Sequence, residues 1–203
     1  MNGKFDVKRD ALFKPPVGRF EIVDVPSAAI LAIDGHGDPN TSPAHAAAVG
    51  ALYAASYAIK FASKAAGRDL VVAPLEGLWW SENPSEFASL AKADWLWTMF
   101  IRQPEWMSAA EISSLLSTAA ASKKNPVIAQ LRFETFDEGR VVQTMHVGSY
   151  DDEAPVIHRL HHEFLPANGL VERGKHHEIY LGDPRRVAPE KLRTILRQPV
   201  SPA

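Results

Sequence analysis

Ile101-Arg102-Gln103-Pro104 returns 95 residues later as Leu196-Arg197-Gln198-Pro199, and Asn83-Pro84 returns after one hundred residues as Asp183-Pro184. Each echo is short, but their order along the chain and their places after equivalent elements indicate an internal repeat. The sequence upstream of each echo agrees. Residues 28–33 are apolar and run into Asp34-Gly35-His36-Gly37-Asp38-Pro39-Asn40, which reads as a strand entering a turn. Thr41 and Ser42 offer helix caps before Pro43, and Val49, Tyr53, Tyr57 and Phe61 then stand four apart with Leu52 and Ile59 beside them, the spacing of an amphipathic helix ending near Gly67. Two strand-like runs follow at 70–80 and 94–103; in the second, Trp95, Trp97, Met99 and Ile101 alternate with their neighbours. The later copy offers a strand over 140–147, a turn at Gly148-Ser149-Tyr150-Asp151-Asp152-Glu153, helical spacing through Ile157, Leu160 and Phe164, and strands over 175–181 and 192–200. Between the copies, Ser108-x-x-Glu111 is a capping box that opens a helix over 108–123.

The pattern predicts an α+β protein. Its strand-helix-strand-strand module is duplicated with pseudo-twofold symmetry, with antiparallel sheets carrying helices on one side. The repeats run over approximately 23–107 and 127–200 of a single 1–203 domain. One helix on one small sheet cannot bury both faces, so the halves are expected to close against each other and leave a ligand cleft between them. A covalently joined pair needs no second copy, which makes a monomer the expectation.

Composition narrows the function. Lys and Arg total 22 against 24 Asp and Glu, a formal net charge of -2, which provides no broad attraction for nucleic acid or an anionic membrane. With no cysteine, disulfides, thiolate catalysis and cysteine-bound metal are excluded. The opening Met1-Asn2-Gly3-Lys4-Phe5-Asp6-Val7-Lys8 lacks the apolar core of a signal peptide, and no run approaches the roughly 20 apolar residues of a membrane span. The expectation is a cytoplasmic protein.

Candidate site residues gather on the predicted strands. Five tryptophans occur, and Trp79, Trp80 and Trp97 fall on the strands of the first copy with Trp95 close by. A single tryptophan is more often core than ligand wall. Trp79 and Trp80, however, are adjacent on an extended segment and point to opposite faces. Aligning the copies through Asn83-Pro84 and Asp183-Pro184 sets Trp80 against Tyr180 and Leu78 against Glu178, so Trp80, Glu178 and Tyr180 are expected on the face toward the cleft. A carboxylate between aromatic walls suits a planar, apolar or cationic small molecule. Partly desolvated, Glu178 would suit proton transfer; the plainer alternative is a salt bridge to Arg173 or Arg197. Glu76 reads as a brace at the sheet end. His158 and His162 stand four apart on a predicted helix, and His161-His162-Glu163 is echoed by His176-His177-Glu178. The order His-Glu-x-x-His is missing, so no metal and no cofactor are expected. His146, before Val147-Gly148-Ser149-Tyr150, is a better candidate for orienting a ligand or a water. No Gly-x-Ser-x-Gly elbow is present, and Gly35-x-Gly37 lacks the third glycine of a phosphate loop.

Four ordered segments carry a family resemblance: 31–40, Pro74-Leu75-Glu76-Gly77-Leu78-Trp79-Trp80, 143–151 and 176–186. From about Val23 to Val200 the chain resembles stand-alone GyrI-like small-molecule-binding proteins, with a fold like the SOUL and effector-binding domains of multidrug-responsive regulators. The resemblance implies that Glu178 occupies the position of the buried, ligand-contacting glutamate. It also extends to cyclopropanoid cyclopropyl hydrolases, which open the strained ring of DNA-alkylating compounds inside an aromatic cage and so detoxify them. It implies that Trp79, Trp80, Trp97 and Tyr180 contact a flat substrate with help from His146 and His176, and that Glu178 and Tyr150 act in catalysis, Glu178 guiding or deprotonating the attacking water. Tyr150 or His146 would donate to the developing oxyanion. Ser149 departs from the proline expected in the Gly-Pro-Tyr turn, which would loosen the placement of Tyr150. A non-catalytic binding or sequestering protein is the alternative.

Overall fold

The computed structural model describes residues 4–81 and 91–203; the Asn83-Pro84 half of the second echo and the start of the chain lie outside them. The chain forms two compact units, one of Met1–Val7 with Ala28–Phe136 and the other of Lys8–Ser27 with Asp137–Ala203. Two edge strands account for this division. β1 (Glu21–Val25) precedes the first module in sequence but pairs with β6 (Gly139–Val147) of the second unit. β5 (Arg132–Phe136) follows the first module and pairs back onto β2 (Ala28–His36). The units thus have other bounds than the expected repeats of 23–107 and 127–200: 21–25 serves the second unit, and 132–136 belongs to the first.

In the first unit the antiparallel order is β3 (Leu75–Trp80), β4 (Leu96–Arg102), β2, β5. Helix α1 (Pro43–Ala65) packs on it, capped by Ser42, whose hydroxyl accepts from the His45 amide. The face that α1 buries is Ala48, Ala51, Leu52, Ala55 and Ile59: the expected Leu52 and Ile59 lie in it, while the row of Val49, Tyr53, Tyr57 and Phe61 does not. Tyr57 and Phe61 are exposed at 47% and 61%. Alanines let the helix axis approach the sheet more closely than aromatic rings permit, and spacing alone does not distinguish two stripes on a helix that is apolar most of the way round. Helix α2 (Ala109–Lys123) begins with the full Ser108–Glu111 capping box.

In the second unit the order is β1, β6, β9 (Arg193–Pro202), β8 (His176–Tyr180), with the short β7 (Leu170–Glu172) pairing the end of β9. Helix α3 spans 154–167 and widens to a π turn over Leu160–Phe164. There the Leu165 amide reaches back to Leu160, immediately before Pro166, which has no amide to donate. Leu160 and Leu165 pack on Val142, Leu170 and Val200, with Phe20 and Phe164 at the margin. Each unit thus contains the expected strand-helix-strand-strand module: β2-α1-β3-β4 and β6-α3-β8-β9.

Candidate functional site

In an antiparallel pair, residues directly opposite one another share a face, so the register decides which side chains can meet. In the second unit Glu178 lies opposite Leu196, Tyr180 opposite Thr194, and Thr194 opposite His146. His176, Glu178 and Tyr180 alternate onto the face that also carries Val142 and Val200, the side on which α3 packs.

On that face the Tyr180 hydroxyl donates to Glu178 Oε2 at 2.6 Å. The Glu178 side chain is 15% exposed, and His176 Nε2 stands 3.7 Å from Oε1. Burial, reinforced by His161 and His177, pushes the His176 pKa down to about 3, so the imidazole beside the carboxylate is neutral. The Tyr150 ring meets the Tyr180 ring edge to face, with centroids 5.5 Å apart. An O–H···O bond this short, to a carboxylate with little solvent contact, orients both groups. The arrangement offers a positioned carboxylate beside one phenol and a neutral imidazole, with a second phenol ring packed on the first.

His146 serves this site from beneath the turn that carries Tyr150. Its Nε2 lies 3.0 Å from the Ser149 carbonyl, and because a carbonyl only accepts, the contact requires the Nε2–H tautomer. The proton considered available to a ligand is thus engaged by the backbone. Ser149, in place of proline, donates its hydroxyl to Asp152 at 2.6 Å and tightens the turn. Gly148, at φ +146, adds to the fit, since a Cβ there would stand 3.0 Å from His146 Nε2.

The alternative salt bridges for Glu178 are not the ones these arginines form. Arg197 is on the opposite face of β9, paired with Glu138 at 3.3 Å and bonded to the Gln143 side chain and the Leu12 carbonyl. Arg173 donates to the Glu138 carbonyl. His177 also meets Glu138, at 2.6 Å, and all three charged or titratable side chains of this cluster are fully buried.

In the first unit Trp79, Trp97 and Gly35 are in register across three strands. Gly35 is what lets Trp97 lie down: a Cβ there would fall 2.1 Å from the indole ring. His45, in the first turn of α1, packs edge-on to Trp97 with centroids 5.1 Å apart and stacks on Trp79 at 6.2 Å, while Trp95 meets Trp79 edge to face. Burial lowers the His45 pKa, against a weaker pull from Asp38. Trp97 Nε1 and His45 Nε2 are buried without a hydrogen-bond partner among the described residues. His45 escaped the sequence reading, its one signal being its place three residues after the Ser42 cap.

Trp80 departs from its expected position. The Ile101 echo equates Ile101 with Leu196, and their partners are Leu75 and Glu178. Glu178 therefore corresponds to Leu75 rather than Leu78, and Tyr180 to Gly77 rather than Trp80. Trp80 lies on the other face of its sheet, against the cluster of Ile30, Ala32, Leu78 and Phe100. Aligning through loops fails because loop length is free while strand register is not. Glu76 is fully buried and paired with Arg102 at 3.0 Å, as a brace.

Among the described residues no three His, Asp or Glu side chains gather as a metal site; the His158 and His162 rings pack on each other with centroids 4.4 Å apart. No helix among them is long and apolar enough to cross a membrane.

A small antiparallel module used twice, with a partly dry glutamate held by a tyrosine on the second copy, defines a class of ligand-binding domain. The chain belongs to the GyrI-like family: the model of the GyrI-like small molecule binding domain matches residues 19–201. It is similar to an uncharacterized conserved protein from Listeria innocua, at 36% identity and a TM-score of 0.89. It is also similar to a hydrolase encoded by lin2189 from the same organism, at 37% identity and 0.87. Each comparison covers 98% of this chain and 100% of the other. The EcmrR C-terminal domain shares the fold alone, at 9% identity and a TM-score of 0.56 over 91% of this chain and 98% of that one. No curated protein matches.

Proposed function

We propose that this small-molecule-binding protein takes planar, apolar or cationic compounds and hydrolyses cyclopropane-bearing alkylators by adding water. The observation that supports the reading is the 2.6 Å bond from the Tyr180 hydroxyl to Glu178, a carboxylate only 15% exposed. A carboxylate oriented in this way can take a proton from water without first shedding a hydration shell. In the reaction, the water oxygen bonds to a cyclopropane carbon and the strained carbon–carbon bond breaks. Its electron pair moves into the conjugated dienone, whose carbonyl oxygen becomes a phenolate. The water proton passes to Glu178 and then to that phenolate, so the protein is returned unchanged. Tyr150, rather than His146, is the donor for the developing oxyanion, since the His146 Nε2 proton is committed to Ser149. Ring strain supplies much of the drive, and positioning the base and donor supplies the rest.

The Listeria hydrolase at 37% identity supports the catalytic reading. The family description, a small molecule binding domain, favours sequestration without turnover. Incubation with a cyclopropane-fused dienone separates the two. Hydrolysis gives ring-opened water adduct beyond one equivalent of protein, and Glu178→Gln lowers the rate by about 10²–10⁴, the usual contribution of a general base. Protection that stops at one equivalent, with Glu178→Gln equal to wild type, assigns the protein to binding alone.

A further inference from the structure

Thr194 is fully buried, and its hydroxyl has no hydrogen-bond partner among the described residues. A buried hydroxyl without a partner forfeits its bonds to water and destabilises the fold. Such a group calls for a reason.

The fold does not supply one. The repeat equates Thr194 with Met99, and the two residues occupy the same lattice position: Met99 lies between Gly77 and Ile33, Thr194 between Tyr180 and His146. Met99 is 1% exposed and Ile33 7%. An entirely apolar row therefore satisfies the module, and the second copy substitutes a histidine, a threonine and a tyrosine for it. All three face the side of the sheet that carries Glu178. Thr194 stands directly across from the tyrosine that holds the carboxylate, and one step diagonally from Glu178 itself, within the range over which side chains on neighbouring strands cooperate.

We propose that Thr194 is a specificity-determining residue of this site, its hydroxyl donating to an oxygen of the bound compound, the carbonyl that becomes the phenolate in ring opening. This rests on the small-molecule reading above and narrows it: the ligand carries a hydrogen-bond acceptor on the edge of its planar ring, and ligands without one are discriminated against. A site built around a buried hydroxyl rejects a ligand that leaves that hydroxyl unpaired.

The test uses the whole protein and Thr194→Val, which keeps the shape and removes the hydroxyl, with Thr194→Ser as the rescue. The probes are the cyclopropane-fused dienone, its unreactive ring-opened phenol, and the same ring system lacking the oxygen. Thr194→Val is expected to melt no lower than wild type, to bind the phenol about tenfold more weakly and turn over the dienone about tenfold more slowly, and to bind the deoxy compound as wild type does. Thr194→Ser should recover the phenol affinity to within about threefold. A merely structural threonine would affect all probes equally or none. Equal binding of the phenol by wild type and Thr194→Val overturns the Thr194 assignment and leaves the proposed function standing. Wild-type binding without turnover removes hydrolysis but still tests Thr194 through affinity. A wild-type protein that binds none of the three overturns both.

Discussion

Each module buries an arginine from its echo, and the two are neutralised in different ways. Arg102 pairs with Glu76, carried by the neighbouring strand β3. In the second module the position equivalent to Glu76 is Ile179, and Arg197 instead takes its carboxylate from Glu138, just ahead of β6, with the Gln143 side chain and the Leu12 carbonyl as further acceptors. The glutamate of β8 stands one residue earlier, at 178. On a strand, one residue is one face. The same residue type on corresponding strands is thus a sealed counter-ion in one copy and a partly exposed carboxylate bonded to a tyrosine in the other. The buried cation is common to both modules, and where Glu138 serves as its counter-ion β8 carries its own acid on the helix-bearing side instead.

The sharpest way to break this comparison is to remove the cation. Arg197→Met leaves Glu138 buried without its guanidinium and should cost about 3–5 kcal/mol in urea unfolding, with Arg102→Met in the same range for Glu76. Arg185, exposed and paired with Asp183, is the control: Arg185→Met should change stability by less than about 1 kcal/mol. If Arg197→Met were no worse than Arg185→Met, Glu138 would not be the counterpart of Glu76. A smaller effect is expected in the first unit, where Gly35→Ala forces the Trp97 indole off β2 and should lose about 1–3 kcal/mol with a shift in tryptophan emission. An unchanged spectrum would place that ring elsewhere.

The smallest effect is a pH dependence that the second copy contributes through His176. Its folded pKa of about 3 lies below the ordinary imidazole value of 6.5. The unfolded chain therefore takes up the proton first as pH falls, so this contribution is complete above about pH 6.5 and diminishes below it. Between pH 7.5 and 5.5 the loss should be about 1 kcal/mol. His176→Gln should flatten that part of the curve. His45 and His161, also lowered by burial, act in the same direction and remain in the variant.

Much of the architecture was legible in the residues. The Arg-Gln-Pro echo, the Ser108–Glu111 box, the Ser42 cap and the alternation through Trp97 and Met99 are local signals, and the elements they predict form where expected. β1 and β7 were not legible, because a strand of five or three residues with mixed polarity has no period long enough to register. The buried stripe of α1 was misread for the opposite reason, an excess of apolar residues on more than one face.

By itself the sequence determined the repeated module, the residue types at its strand positions and the absence of cysteine chemistry, since each follows from local pattern or composition. Only the tertiary structure decided that Glu178 answers to Leu75, that Thr194 lies buried between Tyr180 and His146, and that Arg197 belongs to Glu138. Those are facts of register and face, set by hydrogen bonds between strands far apart in the chain. A shift of one residue, which composition cannot register, reverses every one of them.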